Sequence, residues 1–246
     1  MNPGYPRILT CPHCGKKKQV LSLASGNTAW MRYWSDNKKY YPYLPQPSFI
    51  QKCPYCGGYF LLSRQKNEEY AKDGFCLNEG RLTYTELKEA YRNLSNESET
   101  TKEERLEVLF YLLWGFNDKF WRNDEPMLSD SDKEREKYEE DINVEDEEFI
   151  MPEPKQTKEL ETPSKTDWAF HKEIVLELLQ FITDPLLRAE FFREIGYFEE
   201  ASVELSYAEP KDEFLLAYKG KIEELIKKHE KRVVELTEMI WEIQSH

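Results

Sequence analysis

The segment TCPHCGKKKQ, residues 10–19, decides how the first part of this chain folds, and it recurs in similar form as QKCPYCGGYF at residues 51–60. In each segment two residues separate a pair of cysteines, and a glycine follows the second one. A turn with this spacing places two sulfur atoms on one side of a tight loop, near enough to bind one ion. The two turns together predict a single metal site with four thiolate ligands, namely Cys11, Cys14, Cys53 and Cys56.

The glycines after the pairs, Gly15 and Gly57, stand where such a turn often needs a residue that tolerates a positive φ. CPHCG and CPYCG resemble the two knuckles of a zinc ribbon, and the resemblance covers residues 8–64. It implies a small β-domain, with a β-hairpin insertion, that holds one structural Zn²⁺, and we expect this domain to span residues 1–66. The 38 residues between the knuckles exceed the common ribbon spacing and leave the strand order open.

Other chemistry for these cysteines is less favoured. A rubredoxin-like iron site uses the same four sulfurs, whereas two redox dithiols would each need a strand-to-helix context that neither pair has. Four thiolates fill a tetrahedral coordination sphere, so we expect a structural ion and no catalytic one. His13 is a spare candidate ligand that we expect to face solvent. Cys76 lacks a partner in sequence and is expected to be a buried or free thiol.

Charge is distributed unevenly along the chain. The 246 residues carry a formal net charge of -13, yet residues 1–66 contain ten Lys or Arg against one acid, Asp36. The other 180 residues carry 24 bases against 46 acids. Such asymmetry predicts either two modules with different partners or two modules that attract each other.

The residues between the knuckles predict a β-hairpin with a basic and aromatic surface. Trp30, Arg32 and Trp34 alternate with their neighbours at strand spacing, and the turn residues SDNKK follow. Candidate contacts for nucleic acid or for an acidic partner are Lys16, Lys17, Lys18, Arg32, Lys38 and Lys39, and candidate stacking platforms are Trp30, Tyr33 and Trp34. The favoured interpretation of the rings, however, is that they build the module's own core, because a domain this small has few aliphatic residues.

Helical periodicity begins after residue 80 and predicts a helical hairpin over residues 80–123. Thr83 with Glu86, and Thr101 with Glu104, have the spacing of capping boxes. Residues 124–163 hold sixteen acids and five bases with little aliphatic content. This composition predicts a disordered acidic linker, or alternatively an acidic arm that folds back on the basic N-terminal module.

Helices resume over residues 164–246. Asp184 and Pro185 form a cap and first-turn pair, and Gly196 ends that helix. FREIGYFEEASVEL, residues 192–205, resembles the turn of a tetratricopeptide unit, which implies a helical array that presents a protein-binding groove; a plain bundle is the alternative. A long final helix over residues 211–244 is predicted to pair with a neighbour or a second copy through a heptad seam of Ile222, Ile226, His229, Val233, Leu236, Ile240 and Ile243.

These patterns predict an α+β multidomain chain: a small β zinc ribbon, then an all-α helical array or bundle with a long acidic linker. We find no nucleophile elbow, phosphate-binding glycine loop or His-Glu-x-x-His motif, so we expect no enzyme. The apolar core of a signal peptide and an apolar run of membrane-spanning length are also missing, and we expect a cytoplasmic protein. The favoured function is a zinc-binding adaptor that binds protein. The alternatives are a nucleic-acid-associated regulator and a rubredoxin-like iron protein.

Overall fold

The structure is a computed structural model that describes residues 2–28, 31–41, 44, 47–65, 69–72, 81–95, 100–122 and 160–244. The strands are β1 (Asn2–Pro3), β2 (Arg7–Thr10), β3 (Lys17–Val20), β4 (Leu23–Ser25), β5 (Arg32–Tyr33), β6 (Lys39–Tyr40), β7 (Ile50–Lys52), β8 (Tyr59–Leu61) and β9 (Glu69–Tyr70). The helices are α1 (Tyr84–Ser95), α2 (Lys102–Phe120), α3 (Lys165–Leu178), α4 (Pro185–Glu194), α5 (Phe198–Tyr207), α6 (Glu213–Lys227) and α7 (Thr237–Gln244), with a short 3₁₀ turn at Leu62–Arg64.

The strands form small antiparallel sheets, and the helices follow them in sequence, so the predicted mixed α+β class is confirmed. The sheets have the orders β3-β2-β9, β1-β4, β5-β6 and β7-β8. None of the described helices is long and apolar enough to cross a membrane. The predicted acidic linker falls almost wholly, and Cys76 entirely, outside the described residues.

The helices begin where their caps predict. The Thr83 and Glu86 side chains each bond the other residue's backbone N–H, and Thr101 and Glu104 form the same capping box on α2. The Asp184 carboxylate accepts from the Leu187 N–H at the start of α4. Gly196 has φ 82 between α4 and α5, as its expected role at a helix end requires.

One apolar cluster joins the second knuckle hairpin to four helices. Ile50, Tyr59 and Leu61 of β7 and β8 are buried against side chains of α1, α2, α3 and α4. The Tyr59 hydroxyl also donates to Glu89 of α1 at 2.9 Å. The ribbon therefore shares its core with the helices, and its contacts cross the predicted boundary at residue 66.

The predicted β-hairpin between the knuckles is confirmed. β5 and β6 pair antiparallel, with Arg32 opposite Tyr40 and Tyr33 opposite Lys39. A three-residue loop joins Trp34 to Lys38, and its last residue, Asn37, takes the left-handed conformation at φ 64. Asn tolerates this region better than most residues because its short side chain bonds locally; here its Oδ1 accepts from the Tyr33 hydroxyl at 3.0 Å.

The predicted single C-terminal helix is wrong. α6 ends at Lys227, His229 takes φ 51, and α7 begins only at Thr237. Between them the chain runs alongside the β5–β6 hairpin: Ser35 N–H donates to Val234 O at 2.9 Å, and Leu236 N–H to Tyr33 O at 2.7 Å. Backbone N–H and C=O groups of this segment therefore form hydrogen bonds with the hairpin, whereas in a continuous helix they would bond within the helix.

The heptad residues consequently do not form one seam. Ile222, Ile226, Leu236 and the partly buried Ile240 face one cluster from two helices and the segment between them. Val233 is buried, whereas His229 lies edge-on to the Phe198 ring at 4.7 Å. The side chain of Ile243 is outside the described residues. The regular spacing reflects a shared core, so the described contacts of the seam are internal.

A buried polar centre joins the hairpin tip to the helices. Asp36 is fully buried and accepts a hydrogen bond from Asn117 at 2.8 Å. It also forms an ion pair with Arg122, which follows the end of α2. Asn117 also donates to Glu194 of α4 at 3.1 Å. The Tyr218 hydroxyl donates to Ser35 O at 2.6 Å, and burial raises the pKa of Tyr218 well above its usual value. Hairpin, α2, α4 and α6 thus meet at one point.

The same centre contains two buried titratable groups without complete hydrogen bonding. His171 of α3 stacks on Phe116 with ring centroids 3.8 Å apart, and burial lowers its pKa to about 3, so the ring is neutral. Its Nε2 lies 3.9 Å from Glu194 Oε2. Burial, together with the negative charge of Glu190, raises the pKa of Glu194 to about 8. At neutral pH both groups are uncharged.

We predict that Asp36→Ala destabilises the protein by about 2 kcal/mol or more, because it removes the fully buried partner of Arg122 and leaves only the partly exposed Asp118 to compensate that charge. The measurement is urea unfolding followed by far-UV circular dichroism. Glu69→Ala is the matched control, since it removes an ion pair with Lys17 that is about half exposed on both sides. Equal unfolding midpoints for Asp36→Ala and Glu69→Ala would contradict the structural role of Asp36.

We also predict that Glu194→Gln flattens the dependence of stability on pH. Between the ordinary pKa of 4.5 and the folded pKa of about 8, the folded protein keeps a proton that the unfolded chain has released. Stability of the wild type therefore falls as the pH rises through this window, by about 1 kcal/mol per pH unit, and levels off above it. Urea unfolding of both proteins from about pH 6 to about pH 9 measures the difference; parallel profiles would show that Glu194 does not hold this proton.

Candidate metal centre

The two cysteine turns have the same backbone geometry. The first joins β2 to β3, with Thr10 opposite Lys17, and the second joins β7 to β8, with Lys52 opposite Tyr59. In the first turn the Gly15 N–H donates to Cys11 O, and in the second the Gly57 N–H donates to Cys53 O, both at 2.9 Å.

The two glycines are required by backbone conformation. Gly15 and Gly57 have φ 70 and φ 73, as their place in the sequence predicts. An added Cβ at either position would meet nothing within 4 Å, so the requirement is conformational and does not come from lack of space. Each turn is thereby held in the shape that directs two sulfurs the same way.

The four sulfurs converge, as predicted. The Sγ atoms of Cys11, Cys14, Cys53 and Cys56 all lie within 4.8 Å of one another. Across the two turns, Cys11 and Cys56 are 3.7 Å apart, as are Cys14 and Cys53. Zinc–sulfur bonds of about 2.3 Å in a tetrahedron separate the sulfurs by about 3.8 Å. The residues present therefore fit a tetrahedral metal ion.

Burial divides the ligands into two pairs. Cys11 and Cys53 are buried against Leu9, Val20 and Phe60, while Cys14 and Cys56 are exposed. Burial by itself would raise the pKa of the Cys53 thiol, but hydrogen bonds from the backbone of Cys56 and Tyr55 lower that pKa to about 6. A thiolate is the form that binds metal, and the lowered pKa favours that form at Cys53.

His13 lies outside the sulfur cluster. Its Nε2 is 2.8 Å from the Tyr59 carbonyl oxygen, which can only accept, so Nε2 carries the proton and donates. A Cβ on Gly58 would come within 2.6 Å of the His13 ring. The side chain therefore ties the first turn to the strand that leaves the second, and its ring sits against a glycine that leaves room for it.

The six candidate contact residues of the basic surface are mostly engaged within the chain. Lys17 pairs with Glu69 at 2.7 Å, Arg32 with Glu235 at 2.6 Å, and Lys38, itself buried, with Asp118 of α2. Lys18 is buried, and its Nζ donates to Lys52 O at 3.0 Å. Lys16 lies over the Tyr55 ring and Lys39 over the Tyr33 ring.

Two further ribbon bases pair with helices. Lys52 contacts Glu86 of α1 at 2.7 Å, and Arg64 contacts Glu104 of α2 at 2.9 Å. Helices and the 230–236 segment thus supply acids to Lys38, Lys52, Arg64 and Arg32. The charge asymmetry predicted either modules with different partners or modules that attract each other. These ion pairs agree with the second prediction.

Two of the three candidate stacking residues lie in the interior. Tyr33 and Trp34 are only 9% and 6% exposed, and Tyr33 belongs to the cluster built by α4, α5 and α6. Trp30 is outside the described residues. Rings at these depths offer no face to a nucleotide base.

The buried polar centre has no motif in the sequence that predicts it. Its members, Asp36, Asn117, Arg122, His171 and Glu194, lie in four separate segments and share no spacing pattern. One signal was available: Asp36 is the single acid among 66 residues rich in bases.

Comparisons with protein-family models, with curated proteins and with solved structures give no match to this chain. The tetratricopeptide-like resemblance of residues 192–205 therefore has no support beyond the sequence itself. The zinc-ribbon-like character rests on the four converging cysteines.

We predict that the purified protein carries one metal ion per chain and loses it when a buried ligand is replaced. Cys53→Ser should reduce bound metal at least tenfold and lower the melting temperature, because four thiolates are needed to close the site. Mass spectrometry of the native protein and metal analysis measure the bound metal, and thermal unfolding followed by far-UV circular dichroism measures the melting temperature. Cys76→Ser is the matched control and should retain the full metal content; equal metal in Cys53→Ser and wild type would contradict the site.

Proposed function

We propose that this protein is a non-enzymatic, zinc-stabilised adaptor: one structural Zn²⁺ orders the ribbon, and the helices bind another protein. The converging four-cysteine cluster carries the first half of the proposal. Zinc is favoured over iron because the same thiolate set serves as a common structural zinc site, with no redox role required of the chain. Four thiolates leave no open position for water or substrate.

The titratable groups support a non-catalytic role. His171 and Glu194 have strongly shifted pKa values, which often mark catalytic sites. Here, however, both side chains are fully buried. A substrate could reach neither of them, so their shifts come from burial in a structural centre.

The surface supports protein binding more than nucleic-acid binding. Most of the ribbon's described basic side chains are paired with acids or lie against rings, and Tyr33 and Trp34 are buried. Exposed large apolar side chains occur on the helices, among them Leu176, Val203, Tyr207 and Leu216, and the ribbon adds three exposed rings, Tyr5, Tyr55 and Tyr70. The nucleic-acid-associated regulator remains the alternative, with weaker support because a chain of net charge -13 repels polyphosphates.

We predict that the tagged, zinc-loaded full chain, crosslinked in its native cells, recovers a stoichiometric protein partner through lysines of its helices. Crosslinking mass spectrometry identifies the linked residues. The same chain should bind labelled single-stranded DNA and RNA more weakly than about 1 mM at low salt, as measured by fluorescence anisotropy. Tight nucleic-acid binding that falls steeply with salt, without a crosslinked protein, would favour the regulator instead.

A further inference from the structure

Two consecutive helices carry apolar side chains on the side that faces away from the core. On α5, Val203 and Tyr207 are one turn apart and are 53% and 67% exposed. On α6, Leu216 is 52% exposed. The opposite sides of these helices hold Ala201, Leu205, Tyr218 and Ile222, which are buried in one cluster. The exposed residues are therefore additional to what the fold needs.

A glycine without an internal explanation lies on the same side of α6. Gly220 follows Leu216 by one helical turn, and a Cβ there would meet nothing within 4 Å. Glycine weakens a helix interior relative to alanine. By contrast, a Cβ on Gly115 of α2 would come within 2.5 Å of Leu87, so that glycine permits the close packing of α1 and α2. Gly220 would allow a similarly close approach of another backbone, but on the solvent-facing side of α6.

The surroundings of these residues are acidic. Glu199, Glu200, Glu209 and Glu213 are exposed, and none of them has an ion-pair partner within the part of the chain that the structure describes. The bases of residues 198–221 are Lys211, Lys219 and Lys221; Lys219 donates to Ala208 O at 2.7 Å, and Lys221 pairs with Glu224 at 3.0 Å. Val203, Tyr207, Leu216 and Gly220, here named the α5–α6 face, are thus exposed positions on two consecutive helices, and residues 198–221 around them carry six acids against three bases.

We propose that the α5–α6 face binds a basic amphipathic helix of another protein. An apolar stripe meets one side of such a helix, basic side chains meet the carboxylates, and Gly220 lets the two backbones approach. This inference rests on the proposed function and specifies the chemistry of the partner.

Charge argues against other occupants. A second copy of the chain would bring the same carboxylates to the contact, and like charges placed opposite each other are unfavourable. Residues 124–163 of this chain carry sixteen acids against five bases, so they are repelled as well. Nucleic acid and anionic membranes are disfavoured for the same reason.

The test uses the zinc-loaded full chain and a fluorescein-labelled amphipathic 18-residue peptide made of leucine and lysine. We expect binding with a Kd in the micromolar range by anisotropy, and at least tenfold weaker binding by the double variant Tyr207→Ser, Leu216→Ser. Tyr70→Ser, which removes a 47% exposed ring on β9, is the matched control and should bind as the wild type does. A peptide of leucine and glutamate should not bind.

Gly220→Ala separates binding from folding. It should raise the melting temperature of the free chain, because alanine favours the helix. It should also weaken binding of the leucine–lysine peptide at least threefold. A stabilised variant that binds the peptide as tightly as the wild type would overturn the close-approach argument.

Three results would overturn the proposal as a whole. They are equal affinity for the leucine–glutamate peptide, unchanged affinity in the Tyr207→Ser, Leu216→Ser variant, and self-association that this variant abolishes, which would make a second copy the occupant. If a crosslinked partner is found but maps to another surface, only this inference fails. If neither peptide nor protein partner is found, the proposed adaptor function fails with it.

Discussion

Asp36 brings a carboxylate into a site that excludes water, and much of the remaining architecture satisfies that charge. Burying an unpaired carboxylate is very unfavourable, so Arg122 and Asn117 must lie at the hairpin tip. Arg122 follows the end of α2, and Asn117 reaches on to Glu194 of α4. The position of the hairpin relative to the helices is thereby determined, and the 230–236 segment pairs alongside it.

The metal centre stabilises a different part of the structure, the ribbon. The small cluster beneath the knuckles contains only a few buried apolar side chains, among them Leu9, Val20 and Phe60. A core of this size contributes little stability, and metal binding in such sites is coupled to folding. The two buried cysteines, Cys11 and Cys53, belong to this cluster. A metal ion held by these cysteines would therefore complete the ribbon's core, while β7 and β8 connect that ribbon to the helices through Ile50 and Leu61.

Features set by local chemistry could be predicted from the sequence, and those set by distant contacts could not. The cysteine turns, the positive φ of Gly15 and Gly57, the capping boxes and the β5–β6 hairpin depend on residues a few positions apart. The pairing of Arg32 with Glu235, and of Asp36 with Arg122, depends on how the whole chain is arranged. The heptad pattern did not predict the break after α6. Its apolar residues are regularly spaced because they share one core, although no continuous helix connects them.

The central claim is that ribbon and helices fold as one unit, joined at Asp36 and stabilised by the metal. Urea unfolding followed at once by zinc release to a coloured chelator and by far-UV circular dichroism tests this claim most directly. We expect the two signals to change with the same midpoint and slope, as a single cooperative transition requires. Zinc release at a clearly lower urea concentration than the loss of helix would show that the ribbon unfolds independently, and would contradict the account.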